Sequence, residues 1–278
     1  MRQSDRSGRT TGRPEDSRMV TPLDSNDVDL WILDLDTVEA KTLEQYAEIL
    51  PECELQQEQR FRFPGGRERY RCTRALARTV LSHYADCGPG EWVFTANNYG
   101  KPHIAEPAGL PLRFNLSHSG RLVVCAVTSG AEVGVDVERM RDLPKAVELA
   151  RRFFAPSEAA AVEAAGCDCR SREFLRHWTF KESYVKARGE GLTVPLAEFF
   201  FSLSYDARPA IGFADPESDA PQRWQLAELR YGASYQLALA VRRLQSERLN
   251  LRVRRTVPLQ WTEPACRLPD HPLYRWEL

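Results

Sequence analysis

The chain has 278 residues, 42% hydrophobic and 28% charged, with a formal net charge of −1. That size supports one large domain or two small ones around a substantial core. The near-neutral balance removes any global electrostatic case for nucleic acid or an acidic membrane surface, and no apolar run approaches the ~20 residues that span a bilayer.

Residues 1 to 27, rich in Arg, Ser, Thr, Gly and Asp with few large apolar side chains, are expected to form a disordered polar tail. They contain no apolar h-region of a secretory signal, so the expected location is cytoplasmic. "VDLWILDLD" then predicts a strand from residue 28. Helices are predicted for "TLEQYAEIL" near 42 to 50 and for "RYRCTRALARTVLSHYADCG", stopped by Gly88. Short β-like pieces follow in "EWVFTANNYGKPHI" and "LRFNLSHSG", then the apolar strand "RLVVCAVTSG" and the strand "AEVGVDVERM".

Pro144 breaks the strand pattern and opens a helical stretch. "FFAPSEAAAVEA" offers Ser157 as an N-cap, and "SREFLRHWTFKESYVKARGEG" reads as a strong helix from Ser171 to Gly189. Strands return in "EFFFSLSY", "RWQLAELRY" and "YQLALAVRR". Helices followed by antiparallel-looking strands, twice over, predict an α+β chain of two similar halves, 28–143 and 144–247, with an extension at 248–278. The extension carries Trp261 and Trp276, which favour packing over a free arm. Seven scattered cysteines in a chain without an export signal argue against a disulfide framework. The pair Cys167 and Cys169 lacks the second Cys or His pair of a structural zinc site and reads as a loop.

The polar residues of three stretches could carry chemistry. In "GVDVE" strand alternation puts Asp136 and Glu138 on one face, opposite Val135 and Val137. One reading is a solvated face with acids paired to Arg139 or Arg141; the other is a Mg²⁺ site, since that ion takes one or two carboxylates together with waters and phosphate oxygens. In "HWTFKESYVK" helical spacing lines up Trp178, Glu182 and Lys186, either as an i,i+4 ion pair beside a core Trp or as a third carboxylate with a lysine for phosphate charge. Lys181 beside Glu182 adds a further positive charge. "FNLSHSG" reads as a turn whose hydroxyls, imidazole and backbone N–H groups can bind phosphate, or as a purely structural turn. No G-x-S-x-G elbow is present, which sets a Ser-His-Asp hydrolase aside.

Taken together, "YGKP" (99–102), "FNLSHSG" (114–120), "GVDVE" (134–138), "RFF" (152–154) and "WTFKESYVK" (178–186) resemble the Sfp-type 4′-phosphopantetheinyl transferases, over about residues 60–205. The resemblance implies a monomeric pseudo-two-fold pair of α+β halves with coenzyme A in the cleft between them. It implies Mg²⁺-dependent transfer of 4′-phosphopantetheine from coenzyme A to a serine of an apo acyl or peptidyl carrier protein, releasing adenosine 3′,5′-bisphosphate. Neither nucleic acid nor membrane is an expected partner. By the same resemblance Asp136, Glu138 and Glu182 match the metal-binding acids, and Glu182 with Lys186 the catalytic pair. Ser117 and His118 match a phosphate-binding turn, Gly100 and Lys101 a nucleotide-side loop, and Arg71, through the spacing in "RFPGGRERYR", a phosphate-binding arginine. Lysines expected ahead of the "RF" pair are replaced in "ELQQEQRFRF", which leaves Arg60 or Arg62 for the 3′-phosphate. Two rival functions stand beside this one: a Mg²⁺ phosphohydrolase on coenzyme A or nucleotides, and a non-catalytic module that binds carrier proteins. The pathway served, whether fatty acid, polyketide or nonribosomal peptide synthesis, is left open.

Overall fold

The computed structural model describes residues 20–242, 249–268 and 275–278, so residues 1–19 of the predicted tail lie outside the described residues. The end of that tail is packed: Leu23 lies against a core cluster and Thr21 N–H donates to the His83 carbonyl.

One succession of elements occurs twice. The first pass is β1 (Asp27–Asp34), three helices α1 (Ala40–Ile49), α2 (Glu52–Gln59) and α3 (Pro64–Leu81), a two-stranded ribbon β2 (Val93–Ala96) and β3 (Pro102–Glu106), then β4 (Leu112–Ser119) and β5 (Leu122–Ser129). The second is β6 (Val133–Arg139), helices α4 (Ala146–Phe153), α5 (Pro156–Ala164) and α6 (Arg170–Arg188), a ribbon β7 (Phe199–Ser202) and β8 (Ala210–Phe213), then β9 (Trp224–Tyr231) and β10 (Tyr235–Arg242). The sheets repeat as well, with order β1-β5-β4 in one half and β6-β10-β9 in the other, all antiparallel. The predicted pair of α+β halves is the observed architecture.

The two sheets stack face to face. Val28, Leu30 and Ile32 of β1 meet Val133, Val135 and Val137 of β6 and Leu237 and Leu239 of β10 in one buried cluster. The alternate residues of β1, Trp31 and Leu33, turn to the other side and pack with Leu76 and Val80 of α3. On the far side of the second sheet, Ala238 and Ala240 meet Phe180, Tyr184 and Ala187 of α6. Both faces of the central strands are therefore covered, which is why they read as apolar runs rather than as clean alternation. Among the described residues no helix is long and apolar enough to cross a membrane.

Three expectations need correction. The first half does not extend to residue 143: β6 pairs with β10 from Val133↔Val241 to Arg139↔Tyr235, so the second half begins with β6. The segment after 248 packs, as its tryptophans suggest: β11 (Asn250–Val257) runs parallel to β1 and β14 (Arg275–Glu277) parallel to β9, extending both sheets. Two short strands, β12 (Trp261–Thr262) and β13 (Cys266–Arg267), pair with β11; Trp276 is half-buried against the inter-sheet core while Trp261 stays exposed. Ser157 does not cap α5; Pro156 occupies its first turn, where a missing N–H costs nothing, and Glu158 reaches back to accept from Ala155 N–H at 3.1 Å. Finally, α2 was not anticipated, because its buried residues are Glu54 and Glu58, which leave no apolar period to read. Glu54 pairs with Arg74 and Arg78 of α3, and Glu58 with Arg71.

One close approach sets the position of α6. A Cβ at Gly134 would lie 2.0 Å from the Ser183 carbonyl oxygen and 2.4 Å from the Ala187 nitrogen, so the helix backbone rests directly on β6 at this residue. Both neighbours are backbone and cannot swing aside. Gly134→Ala is predicted to lower the unfolding free energy by about 1–3 kcal/mol or more, the cost of overfilling a packed interior. A wild-type urea midpoint and slope for this variant would contradict that packing.

Candidate active site

The contact at Gly134 lays α6 across the face of β6 that carries Asp136 and Glu138. Helical spacing then brings Glu182 and Lys186 to that face, while Lys181, one residue along, points into the core. Lys186 Nζ donates to Asp136 Oδ1 at 2.6 Å and to Ser117 Oγ at 2.9 Å. The lysine thus pairs across to β6 instead of with Glu182 on its own helix. Lys181 is fully buried on Glu158 at 2.7 Å and on the carbonyls of Leu196 and Phe199; it contributes no charge to the site.

The carboxylates are held under strain of charge. Asp136 is buried, its Oδ2 has no hydrogen-bond partner among the described residues, and desolvation raises its pKa against the opposing pull of Lys186 and Ser117. Glu182 makes no hydrogen bond among the described residues; its pKa is raised first by desolvation and then by the negative charge of Asp136, with Glu138 adding to it. Glu138 accepts from Ser119 Oγ at 3.0 Å and from Arg141 Nη1 at 2.7 Å. Of the two pairings considered for these acids, Arg141 on Glu138 is found, and among the described residues Arg139 pairs with neither acid.

This donor set suits a hard divalent cation: carboxylate oxygens only, close enough to disfavour one another's charge, with one buried oxygen that has no partner among the described residues. Among the described residues no three His, Cys, Asp or Glu side chains converge into a ready metal cage. The two acids of β6 are instead each held by a basic side chain, Lys186 and Arg141.

The remaining predicted residues divide. Gly100 and Lys101 line a cleft of about 240 Å³ together with Tyr99, Asn115, Leu116, Glu182 and Lys186, so the β2–β3 turn and α6 border one space. Gly100 has φ +87°, a left-handed conformation that glycine adopts freely. Asn97 Nδ2 donates to the Gly189 carbonyl at 2.6 Å, and Lys101 Nζ to the Ala187 carbonyl at 2.8 Å and Glu132 at 2.7 Å, which fastens the ribbon to the last turn of α6.

"FNLSHSG" is not a turn: Phe114 to Ser119 belong to β4 and the chain reverses only at Gly120. Ser117 and His118 therefore point to opposite faces. His118 is exposed on the strand but hemmed in by its neighbours, and its pKa is lowered first by desolvation and next by the Arg69 guanidinium. Arg71 is committed elsewhere. Its Nε and Nη2 grip Glu58 at 2.9 and 2.7 Å and its Nη1 donates to the Leu43 carbonyl, which ties α3 to α1 and α2. The α3 arginine beside His118 is Arg69, two residues away, which sequence matching passed over.

Comparison with known proteins bears on what this arrangement does. A family model described as "4′-phosphopantetheinyl transferase superfamily" matches residues 132–240, beginning at the structural start of the second half. One described as "4′-phosphopantetheinyl transferase, N-terminal" matches residues 37–130. The chain is 37% identical over 169 residues to 4′-phosphopantetheinyl transferase HetI of Nostoc sp., covering 60% of this chain and 71% of the relative. It is 36% identical over 144 residues to 4′-phosphopantetheinyl transferase Sfp of Bacillus subtilis, covering 51% and 62%. Among solved structures, Thermotoga maritima holo-[acyl-carrier-protein] synthase aligns with a TM-score of 0.32 at 20% identity, over 43% of this chain and 64% of that one.

The charge strain at Glu182 gives a pH signature. Its folded-state pKa lies above the ordinary value of 4.5, so its contribution is neutral below that value and becomes destabilising as pH rises through the folded pKa. In chelator, Glu182→Gln is predicted to be more stable than wild type at pH 7, with the gain shrinking to nothing near pH 4. Denaturation midpoints across that range test it; a variant less stable than wild type at pH 7 contradicts it.

Proposed function

The chain belongs to the 4′-phosphopantetheinyl transferase family, and from that premise we propose that it moves 4′-phosphopantetheine from coenzyme A to a serine hydroxyl of an apo acyl or peptidyl carrier protein. The observation that carries this reading is the shared cleft. Glu182 and Lys186 of α6 line the same space as Gly100 and Lys101 of the β2–β3 turn, with the buried Asp136 bonded to Lys186.

A serine hydroxyl is a weak nucleophile and must lose its proton as its oxygen attacks phosphorus. Glu182 is the group we assign to accept that proton, because it faces the cleft and has no hydrogen bond to give up among the described residues. The serine O–P bond forms as the bond between the β-phosphorus and its bridging oxygen breaks, and adenosine 3′,5′-bisphosphate leaves with the electron pair. Lys186 stands at the cleft to donate to phosphate oxygens as charge builds on them. Gly100 and Lys101 border the nucleotide side. His118, with Arg69 near it, is assigned to a coenzyme A phosphate in place of Arg71, whose guanidinium serves the helices.

Asp136, Glu138 and Glu182 are the residues that would hold a Mg²⁺ ion, which when bound offsets the negative charge of the pyrophosphate. Positioning and charge compensation of this kind account for much of the rate in phosphoryl transfer.

Incubation with coenzyme A, Mg²⁺ and a panel of apo carrier proteins is predicted to add one phosphopantetheine mass to at least one carrier. Glu182→Gln should slow that reaction at least ~100-fold, the usual scale for loss of a general base. Intact-mass measurement decides. Cleavage of coenzyme A without a carrier would favour the phosphohydrolase, and carrier binding with no mass change would favour the non-catalytic module.

A further inference from the structure

β4 and β6 lie edge to edge without a backbone ladder between them. Three alternate side chains of β4 take its place: Asn115 Oδ1 accepts from Val135 N–H at 2.9 Å, Ser117 Oγ from Val137 N–H at 3.3 Å and Ser119 Oγ from Arg139 N–H at 3.0 Å. The free edge of β6 is thereby satisfied, as buried backbone donors require.

The two serines do more than the asparagine. Ser117 Oγ donates its hydrogen to Asp136 Oδ1 at 2.8 Å, and Ser119 Oγ donates to Glu138 Oε2 at 3.0 Å. Each hydroxyl therefore accepts from the N–H of one β6 residue and donates to the carboxylate of the residue before it. The device is repeated two residues along the strand, once for each acid. A hydroxyl has one hydrogen and two acceptor sites. Ser117 has used them all, because Lys186 Nζ takes the second acceptor site at 2.9 Å. Phosphate oxygens would need its hydrogen, and that hydrogen is on Asp136.

We propose that Ser117 and Ser119 are positioning residues that aim the Asp136 and Glu138 carboxylates at a divalent cation, and that Ser117 acts through Asp136 and not by touching substrate phosphate. The proposal rests on the reading that Asp136, Glu138 and Glu182 hold such a cation. Partners one step removed from a metal commonly change its affinity 10–100-fold when lost.

The test is Mn²⁺ binding without coenzyme A, followed by the electron paramagnetic resonance of the free ion, on the full chain. Ser119→Ala is expected to weaken Mn²⁺ binding about 10-fold or more, and Ser119→Thr, which keeps the hydroxyl, to restore it. Asn115→Ala, which loses a backbone contact but touches neither acid, should lower the denaturation midpoint and keep its Mn²⁺ affinity. Ser117→Ala should lose Mn²⁺ affinity, whereas a phosphate-contact role predicts unchanged Mn²⁺ affinity and weaker coenzyme A binding in chelator. Folded Ser119→Ala with wild-type Mn²⁺ affinity, or equal losses in Asn115→Ala, would overturn the inference alone. A wild-type chain that binds no Mn²⁺, or a Glu182→Gln chain that binds it unchanged, would overturn the cation reading and this inference with it.

Discussion

The site depends on a missing methyl group. With only hydrogen on the Cα of Gly134, the backbone of α6 at Ser183 and Ala187 can rest on β6, and the helix is brought close enough for Lys186 to reach Asp136. The cleft follows from the same contact, since the α6 C-terminus also receives Asn97 and Lys101 from the β2–β3 turn. Residues from both halves thus meet around one helix. The glycine that opens the "GVDVE" motif sets the distance between α6 and the acids behind it.

Around that contact the chain separates structural from chemical charge. Lys181 and Glu182 are neighbours in sequence with opposite fates. Lys181 is buried on Glu158 and two carbonyls, which anchors α5 and β7 against α6, while Glu182 faces the cleft with no hydrogen bond among the described residues. Arg71, Arg74 and Arg78 hold the glutamates of α2, and Arg176 grips Glu228 of β9 at 2.7 Å. Those buried ions are compensated. Asp136 and Glu182 are not fully so: burial raises the pKa of each despite Lys186. Perturbed carboxylates of this kind at a cleft are candidates for a functional site.

Much of this was legible in the sequence where a local rule had a single outcome. The period of α6, its stop at Gly189 and the alternation of β6 led to the right elements and to Glu182, Lys186, Asp136 and Glu138 on adjoining faces. Other features answer to tertiary partners that no local pattern announces. α2 has glutamates where apolar residues would signal a buried face, because arginines of α3 wait for them. "SHSG" looks like a turn, yet its serines are strand residues bonded to the edge of β6. Arg71 sits at the matching spacing, but Glu58 claims it. The start of the second half is not readable locally, because β6 is apolar on the face shared by both halves and only its pairing with β10 assigns it.

The central claim of the proposed function is that Asp136 and Glu138 of β6 and Glu182 of α6 would hold one cation beside the cleft. A crystal structure with coenzyme A and Mn²⁺ tests it most directly through the anomalous signal of the metal. The account predicts one strong peak bonded to oxygens of Asp136, Glu138, Glu182 and the pyrophosphate, with Arg71 still on Glu58. A peak away from these acids, or a coenzyme A molecule bound outside the cleft of Tyr99, Gly100, Lys101 and Lys186, would contradict it.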